Sequence, residues 1–108
     1  MLSIDDFKNV EMKVGEILSA EPIEESEKLL KLSVDFGETT PRQVLSGIAK
    51  YFENPNELIQ KKCIFVTNLA PRQMLGLESQ AMILAAHTET DFALCEVPNT
   101  IPSGTRIG

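Results

Sequence analysis

The chain has 108 residues, of which 43% are hydrophobic and 24% are charged, and these proportions are typical of one globular domain spanning residues 1–108. No apolar run approaches the roughly 20 residues that a membrane span requires. The first ten residues lack the basic and then apolar pattern of a signal peptide. Cys63 and Cys95 each lie in an apolar stretch, which favours two buried thiols over a disulfide framework. We therefore expect a soluble, cytoplasmic domain without a membrane segment.

Charge is unevenly distributed along the chain. The 16 acidic residues outnumber the 10 Lys and Arg residues, and the resulting net charge of −6 disfavours a nucleic-acid partner, because affinity for phosphates comes mainly from cations. Both ends are acidic, whereas residues 28–72 carry seven Lys or Arg against four Asp or Glu. On composition alone this pattern favours an evenly solvated surface, although cations that share one face could still bind an anion.

The first part of the chain predicts one short helix followed by strands. Ser3 before two aspartates is typical of an N-cap that opens a single helical turn. From Met12 the apolar residues alternate and then resume one step out of phase at Ile17, which predicts a strand with a bulge at Gly15. Strict alternation of apolar and polar residues predicts a second strand over Lys28–Phe36.

The rest of the chain predicts further short strands and two short helical segments, Ile48–Phe52 and Pro55–Ile59. Residues 70–79 predict a loop. The remaining predicted strands are Gln43–Leu45, Lys62–Leu69, Ala81–Ala85 and Phe92–Val97. About six short strands, interrupted by a short helix after the third, favour an all-β closed barrel over a sandwich or a βαβ arrangement.

Patterns that carry catalysis or metal binding are missing. His87 is the single histidine, and the chain has no Cys-x-x-Cys, Gly-rich phosphate loop or Gly-x-Ser-x-Gly motif. The glutamates around Pro22 have neither the order nor the glycine of a calcium-binding loop. We therefore expect no catalytic residue, no metal and no cofactor.

Three segments carry a family resemblance: Ser26–Leu32, Arg42–Tyr51, and Asn68–Arg72 continuing to Glu78–Ala85. In this order and spacing they resemble the tRNA-binding domain found at the C-terminus of methionyl-tRNA synthetases and as a free-standing structure-specific tRNA-binding protein. The resemblance implies an OB-fold, which is a five-stranded Greek-key barrel, with short helices and a C-terminal extension. It also implies a dimer that binds folded tRNA by shape and backbone contacts, without catalysis.

The resemblance further implies which residues meet the tRNA and which join two copies. The implied tRNA contacts are Lys28, Lys31, Arg42, Asn68, Arg72, Ser79 and Gln80, with most weight on Arg72, whose planar guanidinium can bind a phosphate in a bidentate manner. Met82 is expected to pack in the core. The implied dimer contacts are Ile48, Tyr51, Phe52 and Ile101.

Departures from the family pattern leave other functions open. Ala70 and Gln73 stand where the family commonly has lysine, and Ala81 stands where it has glycine. One alternative is a dimerisation or assembly domain with weak RNA affinity. Another is a chaperone-like dimer of the same family that binds extended polypeptides in an exposed apolar groove. A methionyl-tRNA synthetase catalytic region, in cis or in trans, is the expected protein partner of the tRNA-binding function.

Overall fold

The structure, a computed structural model, describes all 108 residues and is built mainly from short β-strands. The strands are β1 (Met12–Ile23), β2 (Ser26–Asp35), β3 (Arg42–Ser46), β4 (Lys62–Val66), β5 (Arg72–Met74), β6 (Leu77–Ser79), β7 (Met82–Ile83), β8 (Ala85–His87), β9 (Phe92–Leu94) and β10 (Arg106–Ile107). The helical segments are α1 (Ile4–Phe7) and two 3₁₀ turns, Ala49–Tyr51 and Pro55–Leu58. The all-β prediction is confirmed, and none of these helices is long and apolar enough to cross a membrane.

The main sheet has the order β3-β2-β1-β4-β7, with β10 paired to β1 outside this path. The long β1 connects its two halves: Met12–Glu16 pairs with β4, and Glu16–Ile23 pairs with β2. All of these pairings are antiparallel. A five-stranded path curled about one long strand is the arrangement of an OB-like barrel.

The bulge in β1 lies beyond the predicted position. Gly15 pairs regularly with Cys63, whereas the register against β2 shifts between Ile17 and Ser19. Glycine is required at this position for close packing, because a Cβ on Gly15 would come within 2.6 Å of the Phe36 and Val34 side chains. The prediction of a bulge at Gly15 was therefore wrong, and its position is three residues later, at Leu18.

The core lies inside the curled sheet and follows the predicted alternation of β2. Leu30, Leu32 and Val34 are all buried and belong to one cluster of 13 core residues. The rings of Phe36 and Phe65 meet edge to face in this cluster, with centroids 5.1 Å apart. The cysteines are both free thiols. Cys63 is fully buried, and this burial raises the pKa of its thiol to about 12, whereas Cys95 is only half-buried.

The barrel is not closed by a continuous hydrogen-bonded ladder, so the expectation of a closed barrel needs correction. Individual bonds between β3 and residues 79–80 bridge the gap. The Ser79 hydroxyl accepts a bond from the Leu45 N–H at 3.0 Å. The Gln80 N–H donates to the Gln43 carbonyl at 2.8 Å, and the Gln80 side-chain oxygen accepts from the Gln43 N–H at 2.8 Å.

Residues 70–79, predicted as a loop, contain a β-hairpin. β5 and β6 pair from Arg72 opposite Ser79 to Met74 opposite Leu77. The turn between them consists of Leu75 and Gly76, which have φ values of +51° and +76°. Two consecutive left-handed residues define a type I′ turn, whose twist suits a two-residue hairpin. The prediction failed because leucine is an unusual residue at the first of these positions.

The C-terminal segment returns to β1 and is fixed there. The Lys62 ammonium donates to the carbonyls of Asn99 at 3.1 Å and Ile101 at 2.7 Å. The Gly104 N–H donates to the Val14 carbonyl at 2.7 Å, and β10 then pairs with the start of β1. Gly104 has a φ of +88°, and a Cβ there would lie 2.4 Å from the Phe36 carbonyl oxygen, so only glycine fits.

Candidate nucleic-acid interface

Arg42, at the start of β3, connects three parts of the chain. Its Nη1 donates to the carbonyls of Thr67 at 2.7 Å and Gln80 at 3.2 Å. Its Nε and Nη2 donate to the two carboxylate oxygens of Glu38 at 2.9 and 2.8 Å. This bidentate pair lowers the pKa of Glu38 and raises that of Arg42. Since most of its five N–H donors are used, Arg42 offers little free hydrogen-bonding capacity to a phosphate.

Asn68 fixes the loop after β4 to the N-terminal segment. Its side-chain oxygen accepts from the Glu11 N–H at 2.9 Å, and its Nδ2 donates to the Asn9 carbonyl at 2.7 Å. Beside it, the Thr67 hydroxyl donates to the Glu11 carboxylate at 2.7 Å, and this hydrogen bond lowers the pKa of Glu11. Asn68 therefore orients the loop that leads to Arg72.

Ser79 and Gln80 bridge the gap in the barrel. Ser79 is 6% exposed, and its hydroxyl is bonded to the backbone of β3 and to the Ala81 carbonyl at 3.2 Å. Gln80 is half-buried and holds Gln43. Contact of either side chain with RNA stays a prediction, and both have a clear structural task in the free protein.

The other cations predicted to contact tRNA differ in how accessible they are to an anion. Arg72 and Lys28 are exposed, and neither side chain takes part in a salt bridge or hydrogen bond. Lys31 lies 3.5 Å from the Glu21 carboxylate, in an ion pair whose acidic member is 63% exposed. Such an exposed pair is weak and can be exchanged for a phosphate. Arg72 and Lys28 are thus the predicted contacts most open to an anion.

Two concave surfaces each contain two of the predicted residues. A polar groove of about 390 Å³ across β1, β2 and β3 contains Lys31 and Arg42. An apolar pocket of about 340 Å³ contains Arg72 and Ser79. Asn68 borders the apolar pocket through its neighbour Leu69. Lys28 and Gln80 line neither of these surfaces.

The apolar pocket contains residues that the sequence analysis did not assign to a site. Leu69 and Met82 are 49% and 47% exposed, and Met74 lies beside them on β5. The expectation that Met82 packs in the core was wrong, because on the short β7 it is the neighbouring Ile83 that faces inward. Alternation along residues 81–83 contained this signal, since Ala81 and Ile83 share the opposite face.

The predicted dimer residues form no uniform exposed surface in the monomer. Ile48 is 6% exposed and belongs to the core cluster, so it cannot add accessible apolar surface. Tyr51 is 40% exposed and stacks on Phe92, with ring centroids 3.9 Å apart. Phe52 meets Phe92 edge to face at 5.9 Å. Ile101 is half-buried where its carbonyl accepts from Lys62.

Comparisons with known proteins match nearly the whole chain. Residues 12–106 match the family model described as "Putative tRNA binding domain". The chain is 44% identical over 108 residues to a Methionine--tRNA ligase of Lactococcus lactis, covering 99% of this chain and 16% of that relative. The chain therefore spans only about a sixth of the length of such curated relatives.

The solved structures with the same fold include one named as a MetRS related protein and one named as a chaperone. A MetRS related protein from Pyrococcus horikoshii is similar with a TM-score of 0.92 and 42% identity, covering 100% of this chain and 98% of that one. The chaperone CsaA from Bacillus anthracis is similar with a TM-score of 0.87 and 28% identity, covering 100% and 99%.

Proposed function

Since the chain belongs to the tRNA-binding domain family, we propose that it is a module that binds folded tRNA by backbone contacts centred on Arg72. The observation that carries this proposal is an exposed guanidinium with no internal partner, on a hairpin that the barrel holds in place. A planar cation of this kind suits a phosphate, which it can bind through two N–H groups.

The proposal requires that the placement of a few cations determines the affinity for tRNA more than the net charge of the protein does. The protein carries −6 overall, so long-range attraction to RNA is absent, and affinity depends on a few placed cations. Ala70 and Gln73, which flank Arg72 in the chain, are exposed and neutral. We therefore expect modest affinity that falls steeply with salt.

The test compares two substitutions, each of which removes one positive charge. Arg72→Ala should weaken binding to a folded tRNA transcript roughly tenfold at moderate salt and reduce the salt slope by about one unit. Lys8→Ala, in the acidic N-terminal segment, is the matched control and should change neither. Gln73→Lys should act in the opposite direction and strengthen binding. Fluorescence titrations of labelled tRNA at two salt concentrations measure all four proteins.

Equal dissociation constants and equal slopes for the Arg72 and Lys8 variants would remove the proposed site. Wild-type protein that does not bind tRNA at low salt would remove the proposed function itself. In that case the assembly-domain alternative gains support.

The proposed module acts together with a partner. The curated relatives are Methionine--tRNA ligases of about six times this length, so we propose that the module adds tRNA affinity to such a catalytic region, in cis or in trans. A cytoplasmic location follows from this role. We also propose a homodimer, supported by the exposed aromatic surface of Tyr51 over Phe92.

A further inference from the structure

The pocket beside Arg72 combines an apolar wall with a single cation. Seven of its ten lining residues are hydrophobic, Arg72 is the only charged one, and none is acidic. Its volume of about 340 Å³ is at the small end of the range for ligand sites. The site therefore suits a small ligand that has an apolar face and a negative charge close to it.

The walls of this pocket are held in place without a ligand. Leu45 comes from β3 and Ile83 from β7, and the buried Ser79 hydroxyl bonds both to the backbone of Leu45 and to the carbonyl of Ala81, the residue before β7. Leu69 follows Asn68, whose side chain is anchored at both ends. Binding therefore does not need to order the pocket first, which reduces its entropic cost.

Leu69, Met74 and Met82 supply the surface that a flat ring would cover. Leu69 and Met82 leave about half of their surface in water, so a ligand that covers them gains hydrophobic free energy. Methionine sulfur also makes favourable contacts with aromatic rings. No aromatic side chain lines the pocket, so ring-on-ring stacking is replaced by ring-on-thioether contact.

We propose that this pocket takes one unpaired, unstacked nucleotide of the bound tRNA, with its base against Leu69, Met74 and Met82 and its phosphate on Arg72. Only an unpaired nucleotide qualifies, because paired bases are inside the helical stack, whereas bases in loops and ends can be splayed out. This inference rests on the proposed function and adds a recognised element to it. An extended apolar polypeptide is the competing occupant, and it would not require Arg72.

Methionine methyl NMR gives a direct readout in the unmodified protein. The chain has four methionines. When a folded tRNA transcript is added, the methyl signals of Met74 and Met82 should move upfield, because a base ring lies over them. Met1 and Met12, which lie outside the pocket lining, serve as internal controls. Bound tRNA without a shift confined to Met74 and Met82 would overturn the inference.

A double-mutant cycle locates the nucleotide. Met82→Ser should weaken tRNA binding roughly fivefold, the loss expected for a half-covered methionine. An abasic substitution at one unpaired position should weaken wild-type binding similarly but leave binding by Met82→Ser unchanged. Leu18→Ser, at a residue that is 42% exposed and outside the pocket lining, is the control and should keep wild-type affinity.

The outcomes separate this inference from the proposed function. Loss of binding in Arg72→Ala together with unchanged binding in Met82→Ser retains the tRNA module and refutes the base pocket. A shift of the Met74 and Met82 methyls caused by an unfolded polypeptide, with none caused by tRNA, refutes the nucleotide as occupant. Circular dichroism of Met82→Ser checks its fold, and the NMR experiment does not depend on that variant.

Discussion

At the scale of single residues, the polar side chains around the barrel opening divide into those with internal partners and those without. Arg42 and Asn68 each make bonds to residues far away in sequence, and Arg42 also pairs with the nearby Glu38. Arg72 makes none. This division explains why one arginine serves the fold and another is available for a ligand, although both have the same chemistry.

The ion pair between Glu38 and Arg42 predicts a pH-dependent stability difference. The pKa of Glu38 is lowered from its usual 4.5, so the pair stabilises the fold fully above that pH and loses its contribution as the pH falls through the lower, folded-state pKa. Glu38→Gln should therefore destabilise the protein by about 0.5–1 kcal/mol at pH 7, the upper part of the range for exposed pairs, because the contact is bidentate.

Urea unfolding of wild type and Glu38→Gln at pH 7 and at several values below 4.5 measures this difference. We expect the two free energies of unfolding to converge at the acidic end. Glu53→Gln, which removes an exposed carboxylate outside any salt bridge, is the control. A difference that stays constant down to the lowest pH would contradict the assigned role.

Residues whose environment is determined by their neighbours in the chain are the ones that the sequence predicts correctly. The alternation over Lys28–Phe36 predicted β2 because a strand exposes every second side chain to the core. It did not reveal the carbonyl partners of Arg42 or the partners of Asn68, which lie 25 to 59 residues away. These bonds depend on the curl of the sheet, which alternation does not encode. The sequence thus predicts which residue types are present at the candidate site, but only part of the structural role of each residue.

At the scale of elements, the contact between β3 and β7 is the weak seam of the barrel. It has bonds through Ser79 and Gln80 where a complete ladder would have regular pairs. Each of these bonds is therefore hard to replace. The β5–β6 hairpin leaves the sheet at the same place, and so the seam determines where Arg72 stands.

Ser79→Ala tests the seam. It removes the acceptor of the buried Leu45 N–H, and the unsatisfied donor should cost about 1–3 kcal/mol. Ser33→Ala, on β2, removes a half-buried hydroxyl that makes no hydrogen bond within the protein and should cost much less. Thermal unfolding compares their stabilities, and hydrogen exchange should show faster exchange at Leu45 in Ser79→Ala only. Equal stability of both variants would show that the seam does not depend on this hydroxyl.

At the scale of the whole molecule, two surfaces of different chemistry lie next to each other on the barrel, because Ser46 and Ile83 line both the pocket with Arg72 and the cavity beside Tyr51. The pocket with Arg72 and Met82 is formed by β3, β7 and the hairpin, whereas the stacked rings of Tyr51 and Phe92 lie between the first 3₁₀ turn and β9. The first is the proposed RNA-binding surface and the second is the proposed contact with another copy, so the two proposed sites are neighbours. Ile48 is buried, so it is removed from the interface expected between two copies.

We expect static light scattering at tens of micromolar to give about twice the monomer mass. A stable interface between two copies buries above about 1,000 Å². The ring of Tyr51 alone is too small for this, so residues around it must also take part. Tyr51→Ser should shift the equilibrium to monomer, whereas Leu18→Ser, equally exposed elsewhere, should not. A monomer mass for the wild type at this concentration would refute the dimer.

The return of β10 to β1 also determines how the molecule resists a pulling force. Met12 pairs with Ile107, so the chain enters and leaves the folded barrel at neighbouring positions of one ladder. Tension applied through the two ends loads these antiparallel pairs one after another, as in a zipper, and no group of bonds shares the load. The C-terminal strand should therefore peel away at low force, while β2 and β4 keep the rest of β1 in place.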